Sequence, residues 1–172
     1  MTVWRAGLSI LVAGLAIAIA VAGGARSDVI GFARVLDGDS LVVGGIRIEL
    51  YGIDAPERGQ TCRRDFRRWS CGDIAARRLK ELVSGSRLRC RAVARDVNRR
   101  TVALCFAGGM DLSETMVKCG LALAAPRAET IYLETEALAR RLGQGIWAGE
   151  VVELWITRRI ARRVPQRVGG QP

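Results

Sequence analysis

Two short acidic clusters, Asp37-Gly38-Asp39-Ser40 and Asp54-Ala55-Pro56-Glu57, stand in a chain with 27 Lys and Arg against 17 Asp and Glu. Each cluster follows a stretch that reads as a strand, so four carboxylates are presented at strand ends. Hard oxygen ligands gathered in this way suit a divalent cation such as Ca²⁺. The net charge of +10 suits an anionic partner: nucleic acid, acidic polysaccharide or a lipid surface. A metal and a polyanion together point to phosphodiester chemistry. The chain has no histidine, which removes Ser-His and Cys-His nucleophilic mechanisms. Without histidine or a Cys-x-x-Cys pair there is no zinc site to propose either.

The elements that must position these groups are short. Residues 29–36 and 40–43 read as strands separated by the Asp-Gly-Asp turn, and Gly44-Gly45 makes the next tight turn. Ile46 to Tyr51 alternates apolar and polar side chains, as a half-buried strand does. A loop-like, basic segment follows, and Gly72 to Ser84 carries helical spacing at Ile74, Leu79, Leu82 and Val83. Leu88–Arg95 and Arg100–Phe106 form a hairpin. Asp111-Leu112-Ser113-Glu114 reads as a capping box opening a helix to about Cys119. Residues 131–142 form a further helix stopped by Gly143. Five strands with intervening helices predict an α+β fold: a small closed barrel of the oligonucleotide-binding (OB) type with helices packed on it.

Three segments divide the chain. Residues 1–25 carry one charge, Arg5, then an uncharged Ala, Gly, Ile, Leu and Val run ending in small residues, the layout of a secretory signal peptide. The run is just long enough to act instead as an uncleaved anchor in the inner membrane. Residues 26–149 hold the folded domain, expected to be periplasmic or secreted and monomeric. The tail, residues 150–172, carries Trp155 and five arginines. It reads as a basic amphipathic helix for a membrane or nucleic-acid surface, or as a solvated terminus from Arg163 onward.

Five cysteines in an exported chain imply disulfides. Cys62 and Cys71 flank the basic segment. Cys90 and Cys105 stand at mirror positions about the turn near Val97-Asn98 and would face one another across the hairpin. Both pairs are predicted to bridge. Cys119 is left over, either an ordinary helix residue or one half of an intermolecular disulfide.

The order of parts resembles the staphylococcal nuclease (thermonuclease) family. Four stretches carry the resemblance: Val35-Leu36-Asp37-Gly38-Asp39-Ser40, Leu50-Tyr51-Gly52-Ile53-Asp54-Ala55-Pro56-Glu57, Asp96-Val97-Asn98-Arg99-Arg100-Thr101-Val102, and Gly145-Ile146-Trp147. The insert from Gln60-Thr61-Cys62 to Cys71-Gly72 resembles its exported bacterial branch. The resemblance implies a five-stranded OB-fold barrel with three helices and Ca²⁺-dependent hydrolysis of single-stranded DNA or RNA. By motif, Asp39, Asp54 and the backbone carbonyl of Ala55 would ligate the metal, with Asp37 behind them orienting ligands and water. Glu57 would be the general base, and Arg100 would hold the phosphate and stabilise transition-state charge. Some secreted relatives look linked to succinoglycan-type exopolysaccharide production, which makes an acidic glycan the alternative partner.

Taken singly, each motif has a plain competitor. Asp-Gly-Asp is a common surface turn, Asp-Ala-Pro-Glu a solvated loop or helix start, and Arg100 an ordinary hairpin charge. The arginines at 63, 64, 67 and 68 read as a solvated loop or as a track for nucleic acid. Trp69 and Trp147 read as packing residues. The joint pattern favours the active-site roles.

The chain also departs from the family. Five residues before the motif aspartate the family places a phosphate-gripping arginine, and here Glu49 stands there. Losing one such donor costs about 10²–10³ in rate, and an anion adds repulsion. Arg47, two residues earlier on the same strand face and about 6.6 Å away along it, could fill the gap, pair with Glu49 or stay a rim charge. At the hairpin turn Asn98-Arg99-Arg100 replaces Tyr-Gly-Arg. Without the glycine a changed turn is expected, one that could displace Arg100. A family tyrosine after the middle helix gives way to Ala124-Ala125.

Overall fold

Apolar side chains on alternate residues and glycines at the reversals build the sheet, in a computed structural model that describes residues 28–125 and 131–149. The elements in order are β1 Val29–Gly31, β2 Ala33–Val35, β3 Ser40–Val43, β4 Ile46–Leu50, β5 Ile53–Asp54, β6 Cys62–Arg64, β7 Arg67–Trp69 and α1 Cys71–Val83. They continue with β8 Leu88–Arg95, β9 Thr101–Ala107, β10 Met110–Asp111, α2 Leu112–Lys118, β11 Leu123–Ala124, α3 Leu133–Arg141 and a 3₁₀ turn, Gly145–Ala148.

The main sheet runs β1-β8-β9-β4-β3-β2, with β10 on β9. β1 and β2 lie at opposite ends of that order yet are separated in sequence by Phe32 alone. One continuous stretch therefore serves both edges, which curls the sheet into a barrel. Counting β1 and β2 as one strand, the barrel has the five strands of an OB-fold. β4 and β9 pair in parallel, and the remaining pairs are antiparallel.

Inward side chains of β3, β4, β8 and β9 meet the apolar faces of α1 and α2. Leu41, Ile48, Leu79, Leu88, Leu112 and Met116 are fully buried at this contact. Deleting one of these side chains to Ala would cost about 2–5 kcal/mol. Asp111 caps α2 as its spacing predicts, accepting from the Glu114 N–H at 3.1 Å. Cys90 and Cys105 are directly opposite on β8 and β9 and are bridged, as are Cys62 and Cys71. Cys119 is the free cysteine among the described residues. Residues 1–25 and the tail from Glu150 lie outside them.

Two expectations change. The segment between Cys62 and Cys71 is not a loop but a hairpin, β6 against β7, reversed at Asp65-Phe66 with both φ angles positive. At the β8–β9 turn Arg99 takes the left-handed φ of 61° that a glycine would adopt, so that backbone conformation survives the missing glycine. Asp96 holds the turn: its Oδ1 accepts from the N–H groups of Asn98 and Arg100, and its carbonyl accepts from Arg99.

Candidate active site

The end of β2 turns back through Asp37-Gly38-Asp39, where the N–H groups of Leu36 and Asp37 both donate to the Ser40 carbonyl. Gly38 is buried, and a Cβ there would stand 2.8 Å from the Cβ atoms of Ala55 and Ala75. Glycine is required because the turn packs directly onto the second acidic segment and onto α1. Asp39 Oδ2 accepts from the Ala55 N–H at 2.9 Å, and Asp37 Oδ1 accepts from the Arg58 N–H at 2.9 Å. Backbone amides of one acidic cluster thus hold the carboxylates of the other.

Glu57 is exposed at the pocket rim. Its N–H donates to Gln60 Oε1 at 3.1 Å and its carbonyl accepts from the Gln60 N–H at 2.9 Å. The start of α1 lies against this turn so closely that a Cβ on Gly72 would come 1.8 Å from the Glu57 carbonyl oxygen. Asp54 ends β5, which pairs with β11 through Asp54 and Leu123.

Asp37, Asp39, Asp54, Glu57 and Arg100 line one pocket of about 510 Å³, together with Glu49 and Arg47. Ala55 lies behind it, buried, with its amide on Asp39. Arg100 lines the pocket with the acidic residues. Its Nε donates to Asp96 Oδ2 at 2.6 Å and its Nη1 to Glu49 Oε1 at 2.7 Å. Arg47 Nε reaches the same Glu49 oxygen at 3.3 Å. Of the alternatives for Arg47, pairing with Glu49 is the one realised. Two of the five N–H donors of Arg100 are engaged by carboxylates, and three are not used by those two partners.

Electrostatics follow from this crowding. Burial pushes the Asp39 carboxyl from 3.8 up to about 8, with added repulsion from Glu49, Asp54 and Glu57, against the lowering effect of the Ala55 N–H. Burial also raises Glu49, while Arg100 and Arg47 oppose it. The Ser40 hydroxyl, buried in the wall of the same pocket, has no hydrogen-bond partner. Mutually repelling carboxylates beside an unpartnered hydroxyl make a donor set that fits a hard divalent cation. Among the described residues no three His, Cys, Asp or Glu side chains form a ready cage. A pair of carboxylates with a backbone carbonyl and water remains compatible with that.

Two participants went unassigned at the level of sequence. Asp96 anchors both the turn and the guanidinium of Arg100, and its place at the head of the Asp-x-x-x-Arg stretch was the available signal. Gln60 steadies Glu57, and no pattern marks it. Trp69 and Trp147 pack against the buried cluster of Cys62, Cys71, Leu123 and Ile146, as expected of packing residues. Ala124 is buried on β11 and Ala125 lines the pocket.

This barrel belongs to a known class. The staphylococcal nuclease homologue family matches residues 47–149. The chain is also 34% identical over 134 residues to the succinoglycan biosynthesis protein ExoI of Rhizobium meliloti (strain 1021), covering 74% of this chain and 69% of that one. The chain belongs to the staphylococcal nuclease homologue family, and its fold is the OB-type barrel of that family.

Proposed function

We propose that this protein is an exported, Ca²⁺-dependent nuclease that hydrolyses phosphodiester bonds of single-stranded DNA or RNA, with turnover reduced by Glu49. The observation that carries the reading is the convergence of Asp39, Asp54, Glu57 and Arg100 on one pocket. Asp39, Asp54 and the Ala55 carbonyl would hold Ca²⁺, and Asp37 would orient the ligands. Held there, the ion would supply neutralisation of phosphate charge and polarisation of the ester. Glu57 takes a proton from the attacking water. Arg100 presents its remaining N–H groups to the phosphate oxygens, where a planar guanidinium complements the charge of the transition state. Glu49 opposes that last step, because it occupies part of the same guanidinium and repels the substrate.

Residues 1–25 serve as the export leader, 26–149 as the nuclease-like domain and 150–172 as a basic tail that contacts polyanions or the membrane surface. Two disulfides suit an oxidising compartment. The folded domain acts as a monomer.

A second reading is favoured by one contact, Arg100 to Glu49 at 2.7 Å. If that pair persists when polyanion binds, the protein is a non-hydrolysing envelope accessory, with an acidic polysaccharide as partner. Similarity to a protein named for succinoglycan biosynthesis supports that alternative. The test is incubation of purified protein with denatured DNA and with RNA. Cleavage in Ca²⁺ that disappears with a calcium chelator is expected. Salt-sensitive binding of nucleic acid or acidic glycan, with no cleavage in Ca²⁺, would establish the second reading instead.

A further inference from the structure

The β6–β7 hairpin is assembled against its own stability. Its register sets Arg63 opposite Arg68 and Arg64 opposite Arg67. Like charges facing across an antiparallel ladder destabilise it. The two-residue turn places Asp65 at φ 48° and Phe66 at φ 63°. Turns of this kind favour Asn-Gly or Asp-Gly, because a Cβ in the left-handed region is strained. Phe66 is 90% exposed, so no packing offsets that strain. The hairpin is retained by the two Arg68–Thr61 hydrogen bonds, the exposed Arg64–Asp65 pair, and covalent and packing ties at its base. Cys62 is bridged to Cys71, Trp69 sits opposite Cys62 and packs inward, and Gly149 lies against the Arg63 carbonyl.

What this arrangement achieves is presentation. Arg63, Arg64, Arg67, Arg68 and the Phe66 ring are exposed, with Arg64 Nε 3.8 Å from Asp65 Oδ2 and Arg68 donating to Thr61 Oγ1 from Nε and Nη2. Beside them is a groove of about 770 Å³, lined by Arg64, Asp65, Arg67 and Arg68 together with the apolar Trp69, Ile74 and Leu121, three cations against one anion. The groove shares no lining residue with the acidic pocket. It is nevertheless close in sequence to it: Cys62 follows Glu57 by five residues, a reach of at most about 18 Å even fully extended.

We infer that this hairpin is a second binding site for single-stranded nucleic acid, with phosphates on its arginines and a base stacked on Phe66. The inference rests on the nuclease reading for its substrate class and assigns the place where the strand is held outside the acidic pocket. A cationic track with an aromatic platform is the general chemistry of single-strand binding. A polyanion against the hairpin also relieves the Arg–Arg repulsion, so binding and hairpin order reinforce each other. Alternation along the strands puts Arg63 and Arg68 on one face and Arg64 and Arg67 on the other. Cations on both faces suit a chain that wraps the hairpin better than a flat lipid surface that touches one side. An acidic polysaccharide would satisfy the charges without requiring the exposed ring.

The experiment is fluorescence anisotropy of a labelled single-stranded DNA oligonucleotide titrated with the full chain in chelator, so that no cleavage occurs. Phe66→Ala is expected to weaken binding about tenfold, the effect of losing one stacked base. Phe66→Gly should weaken it equally while raising the melting temperature, since glycine removes the turn strain. A purely structural Phe66 would not move the two readouts in opposite directions. Arg64→Gln with Arg67→Gln should lower the slope of log affinity against log salt by about 1.4, because two phosphates are no longer neutralised. Affinity within twofold of wild type for Phe66→Ala overturns the inference, whether or not the protein cleaves nucleic acid. Equal or tighter Phe66-dependent binding to phosphatidylglycerol vesicles, or to an acidic polysaccharide, overturns it in favour of that ligand. Phe66-dependent DNA binding with no hydrolysis in Ca²⁺ sustains the hairpin site and removes the nuclease reading alone.

Discussion

One wall of the pocket is acidic and held by backbone; another pairs Arg100 and Arg47 with Glu49 and Asp96 and is held by side chains. Asp37 and Asp39 are fixed by the amides of Arg58 and Ala55, and Glu57 sits on a turn closed by Gln60 and covered by α1. Arg100 is fixed by two carboxylates, Asp96 and Glu49. Main-chain amides persist under substitution at other positions, whereas a side-chain pair changes whenever one partner does. A charge reversal at position 49 can therefore leave the backbone-held carboxylates in place while altering how Arg100 meets a phosphate, its reach into the acidic wall being the repulsion it adds to Asp39. The two halves of the proposed chemistry, activation of water and grip on the ester, are separable in this molecule.

Substitution on each wall in turn would break that separation most sharply. Glu57→Gln removes the proposed base and should lower hydrolysis of denatured DNA by about 10²–10⁴, while the protein stays folded, as read by its melting transition. Arg100→Ala should cost less, about 10²–10³. Its donors are already shared with Asp96 and Glu49. Equal losses at both positions, or none at Arg100, would contradict the contrast between the walls.

The backbone support of the acidic wall can be probed through Gly72. A Cβ 1.8 Å from the Glu57 carbonyl forces α1 away from the rim turn. Gly72→Ala should destabilise the fold by about 1–3 kcal/mol, read by chemical denaturation, and should lower activity along with it.

A smaller effect sharpens the electrostatic side of the comparison. Burial raises the Asp39 carboxyl from 3.8 to about 8. Between those values the folded protein keeps a proton that the unfolded chain has released. This contribution to stability is therefore full below about pH 4 and is lost as pH rises to about 8. In chelator, the melting temperature of wild type should fall relative to Asp39→Asn across that window, and added Ca²⁺ should reverse the trend. A difference that does not vary with pH would remove Asp39 from the crowded set.

Much of this was legible in the residues. Alternating apolar positions and paired glycines gave away β3 and β4, mirror spacing of Cys90 and Cys105 gave their bridge, and Asp111 with Glu114 marked the start of α2. The two acidic motifs and Arg100 were readable as one pocket because their order and spacing carry a known topology. The β6–β7 hairpin was not legible. Its turn lacks glycine and its strands carry arginine on both faces, so neither turn chemistry nor alternation signals a strand. The partner of Arg100 was equally hidden. A residue 51 positions away supplies it, and only the parallel pairing of β4 with β9 brings Glu49 beside that turn.

The hydrolysis rate of Glu49→Arg beside wild type, on denatured DNA in Ca²⁺, tests the central claim most directly. Replacing the anion with a second guanidinium should raise the rate at least about tenfold, toward the 10²–10³ that one transition-state donor supplies. A rate unchanged or lowered would contradict the account of an intact acidic wall facing a weakened phosphate grip.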